Sequence, residues 1–328
     1  MSTEVSKNWI SKEPEKLPDF IIGGAMKSGT STLHAILDRH PDLYIPEEEI
    51  GFWDCDNISE HFDFSFYDKG RKEWIFQDME KDPTAMWNWY HTKFAQGENF
   101  LKGEDSTSYL ASAIAGKRIA AQQKKIKLVF LLRQPSRRCY SHYFHLLRAG
   151  IVSTTFEKTL EYNPNLLLKR SLYKEQLEAW YRYLPKEQIK VILFEDLVAD
   201  SKKTVQEVCG FLGISTDKFS EEDYKIHANK AKLPLSFGLH RLKNRLFRSY
   251  GNSFYLSSLP FKAPKSYKNR MLLAKAVTRI SKMVNPLVEK KTPSMRPTTK
   301  EFLDNYFKRE LKGLDELTGL DAYSKWFK

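Results

Sequence analysis

With 328 residues, 41% of them hydrophobic, the chain is long enough to bury a sizeable core in a single domain. Its 53 Lys and Arg residues outweigh 41 Asp and Glu to leave a net charge of +12, which points to an anionic partner. No stretch reaches the roughly 18 apolar residues of a membrane span, Met1 to Asp19 holds no apolar core of signal-peptide length, and Cys55, Cys139 and Cys209 form no zinc, redox or disulfide motif, so the expected setting is the cytoplasm, with buried free thiols.

Residues 1–16 read as a flexible N-terminal tail, and the domain is expected over 17–328. Phe20 to Ile22 is a short apolar run of buried-strand type. Glycines follow at 23, 24 and 29, and then Leu33, Ile36 and Leu37 fall at helical spacing until Pro41 stops the helix. Residues 43–99 are rich in aromatic and turn residues and are expected as short helices and long loops, with the aromatics packed beneath them. A short strand is expected at 99–103 and a helix over 113–124. Lys127–Leu132 is the clearest buried strand, and Pro135 opens a helix that runs to Arg148. A helix over 171–183, a strand over 189–194 and a helix over 201–212, closed by Gly213, continue the alternation. Strand and helix in turn imply a parallel sheet covered on both faces.

The last third changes character. From Lys225 to Val288 there are fourteen Lys or Arg and no Asp or Glu, so the rest of the chain, with 39 basic and 41 acidic residues, carries none of the net positive charge. Leu235, Leu239, Leu242 and Leu246 keep helical spacing, as do Leu273, Val277, Ile280 and Val284. A closing helix is expected over 298–317.

The glycine loop carries the chemistry. A loop between a strand and a helix turns backbone N–H groups toward one point, where the helix N-terminus adds partial positive charge. Gly24 and Gly29 have the separation of a nucleotide-triphosphate loop, but Thr30 stands where that motif has its lysine, and the lysine lies earlier, at Lys27. At the end of the 127–132 strand, where Mg²⁺-dependent enzymes place an aspartate, stands Arg133. An arginine there suits a second phosphate rather than a metal, and Ser141 on the next helix can add a hydrogen bond. The combination fits a nucleotide with two separated anionic ends and requires no metal.

Together these stretches resemble the PAPS-dependent sulfotransferases, with the bacterial carbohydrate enzymes and the Golgi heparan-sulfate enzymes as the nearest branch. Lys27-Ser-Gly-Thr-Ser-Thr-Leu33 is similar to their 5′-phosphosulfate loop, and Arg133-Gln-Pro-Ser-Arg-Arg-Cys-Tyr-Ser141 to their 3′-phosphate motif. His40-Pro-Asp42, Gly103-Glu104, Ser108-Tyr109-Leu110 and Ser171-Leu-Tyr173 followed by Trp180 match as well, so the resemblance covers roughly 18–213 plus the closing helix. It implies a P-loop-like three-layer α/β fold with a central parallel sheet flanked by helices. It also implies transfer of a sulfuryl group from PAPS to a hydroxyl or amine of a carbohydrate or glycolipid acceptor, releasing PAP. Lys27 would contact the bridging oxygen and leaving phosphate, Ser28, Gly29, Thr30, Ser31 and Thr32 would bind that phosphate, and Arg133 and Ser141 would hold the 3′-phosphate. The family's glutamate base, just before an aromatic pair, corresponds to Glu49 in Glu47-Glu48-Glu49-Ile50-Gly51-Phe52-Trp53. Three adjacent carboxylates raise one another's proton affinity, which suits that task.

Two positions depart from the branch. Asp105 stands where a lysine often follows the Gly-Glu pair, and Gly51 where a basic or amide side chain often lies two places after the base. None of the eight histidines matches the base of the cytosolic aryl and steroid enzymes. Two other classes fit the chain less well. A P-loop kinase lacks its lysine and metal-binding aspartate here, and a nucleic-acid binder would account for the basic segment but no binding module accompanies it. The basic segment 225–288 is expected to bind an anionic acceptor glycan, with peripheral contact to an anionic membrane second; the leucine row from Leu235 fits a core-facing stripe equally well.

Overall fold

The computed structural model describes residues 4–61, 65–68, 70–226, 232–247 and 276–328. The first half of the chain forms β1 (Phe20–Gly24), α1 (Thr30–Leu37), β2 (Leu43–Tyr44), a hairpin of β3 (Phe66–Asp68) and β4 (Glu73–Ile75), α2 (Pro83–Thr92), β5 (Leu101–Asp105), α3 (Ala115–Ala120), β6 (Lys127–Leu132) and α4 (Pro135–Arg148). Then come α5 (Phe156–Tyr162), α6 (Pro164–Leu168), α7 (Tyr173–Tyr181), β7 (Ile189–Leu193), α8 (Phe194–Ala199) and α9 (Ser201–Leu212). The last part holds β8 (Lys232–Pro234), α10 (Phe237–Phe247), the helical residues 276–284 (α11), β9 (Leu287–Glu289), α12 (Pro297–Glu310), α13 (Leu314–Thr318) and α14 (Ala322–Trp326).

Five strands make one parallel sheet in the order β2-β5-β1-β6-β7. Strands β1 and, after Lys127, β6 carry no polar side chain because both faces are covered, whereas β5 holds Lys102, Glu104 and Asp105. Side chains alternate between the faces. Phe20, Ile22, Val129, Leu131 and Ile192 pack with Leu33 and Ile36 of α1 and Val205 and Val208 of α9 on one side. Ile21, Leu128, Phe130, Leu132 and Val191 pack with Trp180 of α7, Ile119 of α3 and Phe307 of α12 on the other. The result is the P-loop-like three-layer α/β fold. Its order reverses about β1, so the segments that leave β1, β5, β6 and β7 share one edge, where ligands bind in open α/β sheets.

The structure corrects several expectations. Of the stretch expected as a flexible tail over 1–16, the described part is docked at Trp9: its ring is buried, the Arg118 guanidinium lies 3.4 Å from the ring centre, and Gln122 Nε2 donates to its carbonyl at 2.7 Å. An indole buries enough apolar area to hold a short segment in place. Within 43–99, β2 adds an edge strand to the sheet. The helix over 113–124 is shorter, at Ala115–Ala120. The helix over 298–317 is two helices, because Gly313 turns the chain with φ 88°. The part of the basic segment at 227–231 and 248–275, including Leu273, lies outside the described residues.

Candidate active site

Lys27 sits between β1 and α1 with φ 70°, a left-handed backbone that few non-glycine residues adopt. Gly29 follows with φ 94°, and a Cβ there would meet the Phe194 ring at 2.7 Å, so only glycine fits. Ser28 in the turn and Thr30 at the start of α1 are buried, while Ser31 and Thr32 behind it are partly exposed. The first N–H groups of α1 have no acceptor within the helix. They form an anion cradle beside the Lys27 ammonium.

Arg133 leaves the end of β6 and donates from Nη1 to the Lys27 carbonyl at 3.1 Å. Its carbonyl accepts from the Tyr173 hydroxyl at 2.9 Å, and its guanidinium lies 4.5 Å from the Phe194 ring centre. Its Nε is buried with no partner among the described residues, a donor left for an anion. Ser141 is half-buried on α4, on the helix face that also carries His145 and Arg148. The donor-side residues therefore fit an anionic nucleotide, with one cationic group at each of two neighbouring strand ends.

Beside the loop opens a cleft of about 450 Å³, lined by Met26, Glu49, Ser106, His145, Asn165 and Arg170 among others. Of the three glutamates, only Glu49 lines it. Glu48 turns away and pairs with Lys93 at 2.5 Å, and Glu47 lines a separate surface groove with it. Glu49 Oε2 accepts from Thr107 Oγ1 at 2.9 Å. Glu49 as a whole is exposed at the cleft mouth, but protein crowds its carboxylate on the remaining sides. Loss of water first, and then repulsion from Asp105, push it up to about 7, against the attraction of Lys27. Lys27 is held below its ordinary value by burial and by Arg148, and Glu49 opposes this. The two groups therefore interact by charge across the site.

The loop bearing Glu49 hangs on a buried carboxylate. Glu104 accepts from Tyr90 and Tyr109 hydroxyls, both at 2.5 Å, and from Ser106 Oγ at 2.7 Å. Those same groups reach the loop. Ser106 Oγ accepts from Gly51 N at 2.9 Å, Tyr109 from Trp53 N at 3.2 Å and Tyr90 from Trp53 Nε1 at 3.0 Å. Asp105, the departure from the family pattern, pairs with His34 Nδ1 at 3.2 Å and supplies the negative charge behind Glu49. Burial raises its own proton affinity, and the hydrogen bond and charge of His34 oppose this.

Sequence reasoning missed His145. It lines the same cleft, and burial, then Lys27, Arg148 and Arg170, pull it down to about 4. At neutral pH it is an uncharged imidazole. Its signal was its place one helical turn beyond Ser141. His142, buried next to it, is held well below its ordinary value by burial and then by Arg138 and Arg170. Lys169 and Arg170, also unassigned from sequence, bring positive charge to the cleft wall.

A sequence profile of the sulfotransferase family matches residues 18–218. Human heparan sulfate glucosamine 3-O-sulfotransferase 5 is 27% identical over 239 residues, 69% of this chain and 61% of that protein. Human bifunctional heparan sulfate N-deacetylase/N-sulfotransferase 3 is 26% identical over 225 residues, 62% of this chain and 23% of that protein. The match thus spans less than two thirds of either relative. Among solved structures, the sulfotransferase from Alicyclobacillus acidocaldarius is 26% identical with a TM-score of 0.49, over 77% of this chain and 99% of that one.

Proposed function

The chain belongs to the sulfotransferase family, and from that premise we propose that it moves a sulfuryl group from PAPS to a hydroxyl or amine of a carbohydrate acceptor, releasing PAP. The observation that carries the reading is the place of Glu49: alone of the 47–49 carboxylates it lines the cleft beside the glycine loop, held by Thr107 Oγ1 at 2.9 Å and near enough to Lys27 to feel its charge. Glu49 takes the proton of the acceptor group as its oxygen or nitrogen attacks sulfur. The bond from sulfur to the 5′-phosphate oxygen breaks, and Lys27 with the N–H groups of Gly29, Thr30 and Ser31 and the hydroxyls of the 28–32 turn neutralises the charge that builds on that phosphate. Arg133 and Ser141 hold the 3′-phosphate, so catalysis rests on positioning along one line. The polar cleft wall, with Asn163, Asn165, Lys169 and Arg170, suits a hydroxyl-rich anionic acceptor, and two relatives are named for action on heparan sulfate.

The test uses sulfur-labelled PAPS with unsulfated heparan-type oligosaccharides, a neutral glycan and a simple phenol. Label is expected in a carbohydrate, with PAP released in equal amount. Label confined to the phenol overturns the acceptor class, and absence of PAP release with every acceptor overturns the reaction.

A further inference from the structure

Helix α10 is turned the opposite way from a core-facing leucine stripe. Its buried side chains are polar: His240 Nε2 meets the Leu147 carbonyl at 3.1 Å, and Asn244 Nδ2 donates to the carbonyls of Leu147 at 2.7 Å and Val152 at 2.8 Å. The leucine row faces outward, with Leu235 57%, Leu239 50%, Leu242 53% and Leu246 66% exposed. Helix α11 repeats the pattern with Ile280 62%, Met283 79% and Val284 68% exposed. The two helices belong to one lobe. Strands β8 and β9 pair antiparallel, and at their end Ser236 N donates to Asn285 Oδ1 at 2.7 Å while Asn285 Nδ2 donates to the Ser236 carbonyl at 2.8 Å.

We propose that this lobe, through the outward leucines of α10 and the apolar residues of α11, docks on an anionic lipid bilayer. Two properties coincide here that no other single occupant needs together. Exposed Arg245, Arg279 and Lys282 lie among the apolar residues, within the stretch 225–288 that has fourteen basic and no acidic residues. An anionic glycan uses the charge but gains nothing from bare leucines. A second copy of the same lobe would bury the leucines only by bringing like charges together. A bilayer takes both: anionic headgroups attract the cations, and the leucines enter the acyl boundary beneath them. Large exposed apolar patches rimmed by charge mark such contact sites. The lobe is anchored at Leu147 and Val152, next to Leu146, Ala149 and Ile151 of the cleft rim, so docking sets the cleft beside the membrane. The docking does not depend on which acceptor the cleft takes.

The experiment is co-sedimentation of the full chain with vesicles of phosphatidylcholine alone and of phosphatidylcholine with phosphatidylserine, at low and at physiological salt. Pelleting with the mixed vesicles only, weaker at higher salt, is expected. A Leu239→Ser, Leu242→Ser, Leu246→Ser variant is expected to lose about tenfold or more in vesicle affinity while transferring sulfate to a soluble acceptor as before. Unmodified protein that stays in the supernatant with mixed vesicles overturns the proposal. So does undiminished vesicle binding by the serine variant, which would leave only charge adhesion. A serine variant that loses thermal stability while the unmodified protein binds no vesicles would show the leucines covered by the chain's own residues 248–275, and overturns it too. Retention on an immobilised sulfated glycan, without vesicle binding, assigns the lobe to a glycan instead.

Discussion

Arg133 donates from Nη1 to the Lys27 carbonyl oxygen across 3.1 Å, so the end of β6 and the loop after β1 act as one unit. The residue proposed to grip one end of the donor also steadies the residue proposed to act at the other. Arg133→Ala is therefore expected to weaken PAP binding by about 1.5–3 kcal/mol, measured by calorimetry, and to lower kcat as well through the Lys27 turn. Arg133→Lys keeps the charge without the planar fork and should recover only part of the binding. Unchanged PAP affinity in the alanine variant would remove Arg133 from the donor site.

Glu49→Gln keeps shape and removes the proton acceptor. A fall in kcat of roughly 10²–10⁴ is expected, with PAP affinity retained. Since a base works when deprotonated, kcat/KM of the unmodified protein should fall as pH drops below about 7, where Glu49 takes up its proton. A limb that instead falls near 4 would assign the base to His145. His145→Gln is expected to leave the limb in place, whereas Glu48→Gln should do little, because Glu48 is engaged with Lys93 away from the cleft.

Asp105 acts on Glu49 through charge. Asp105→Asn removes that repulsion and should move the acidic limb of kcat/KM toward lower pH, as Glu49 relaxes toward the ordinary carboxylate range. The pH profile separates this from a packing defect, which would lower activity without moving the limb.

Glu104 links stability to pH. Burial raises it from 4.5 to about 7, despite hydrogen bonds from Tyr109, Tyr90 and Ser106. A carboxyl raised on folding stabilises the fold when protonated, so its contribution is complete below about 4.5 and is lost as pH rises through about 7. The shift corresponds to about 3 kcal/mol. Thermal unfolding of Glu104→Gln should lose this slope between those values. It should also start from a lower stability, because the amide NH₂ cannot accept from the tyrosine hydroxyls. An unchanged slope would place the titration elsewhere.

Local chemistry determined much of this protein from sequence alone. Apolar runs marked β1 at Phe20–Ile22, β6 after Lys127, and β7 with a single lysine within it, because strands buried on both faces need no alternation. Proline at helix starts and Gly213 at a helix end set α4 and α9 to the residue, since each acts on its own backbone. The turn of the glycine loop between β1 and α1 was legible because it is built from consecutive residues. The tertiary structure alone decided what depends on distant partners. Glu49 rather than Glu48 lines the cleft because the Glu104 network fixes the loop from β5 and α2. His145 entered the site because α4 lays one face along the cleft. The leucines of α10 face outward because the helix buries His240 and Asn244 against the carbonyls of Leu147 and Val152, a choice of face that helical spacing leaves open and that only the neighbouring chain can make.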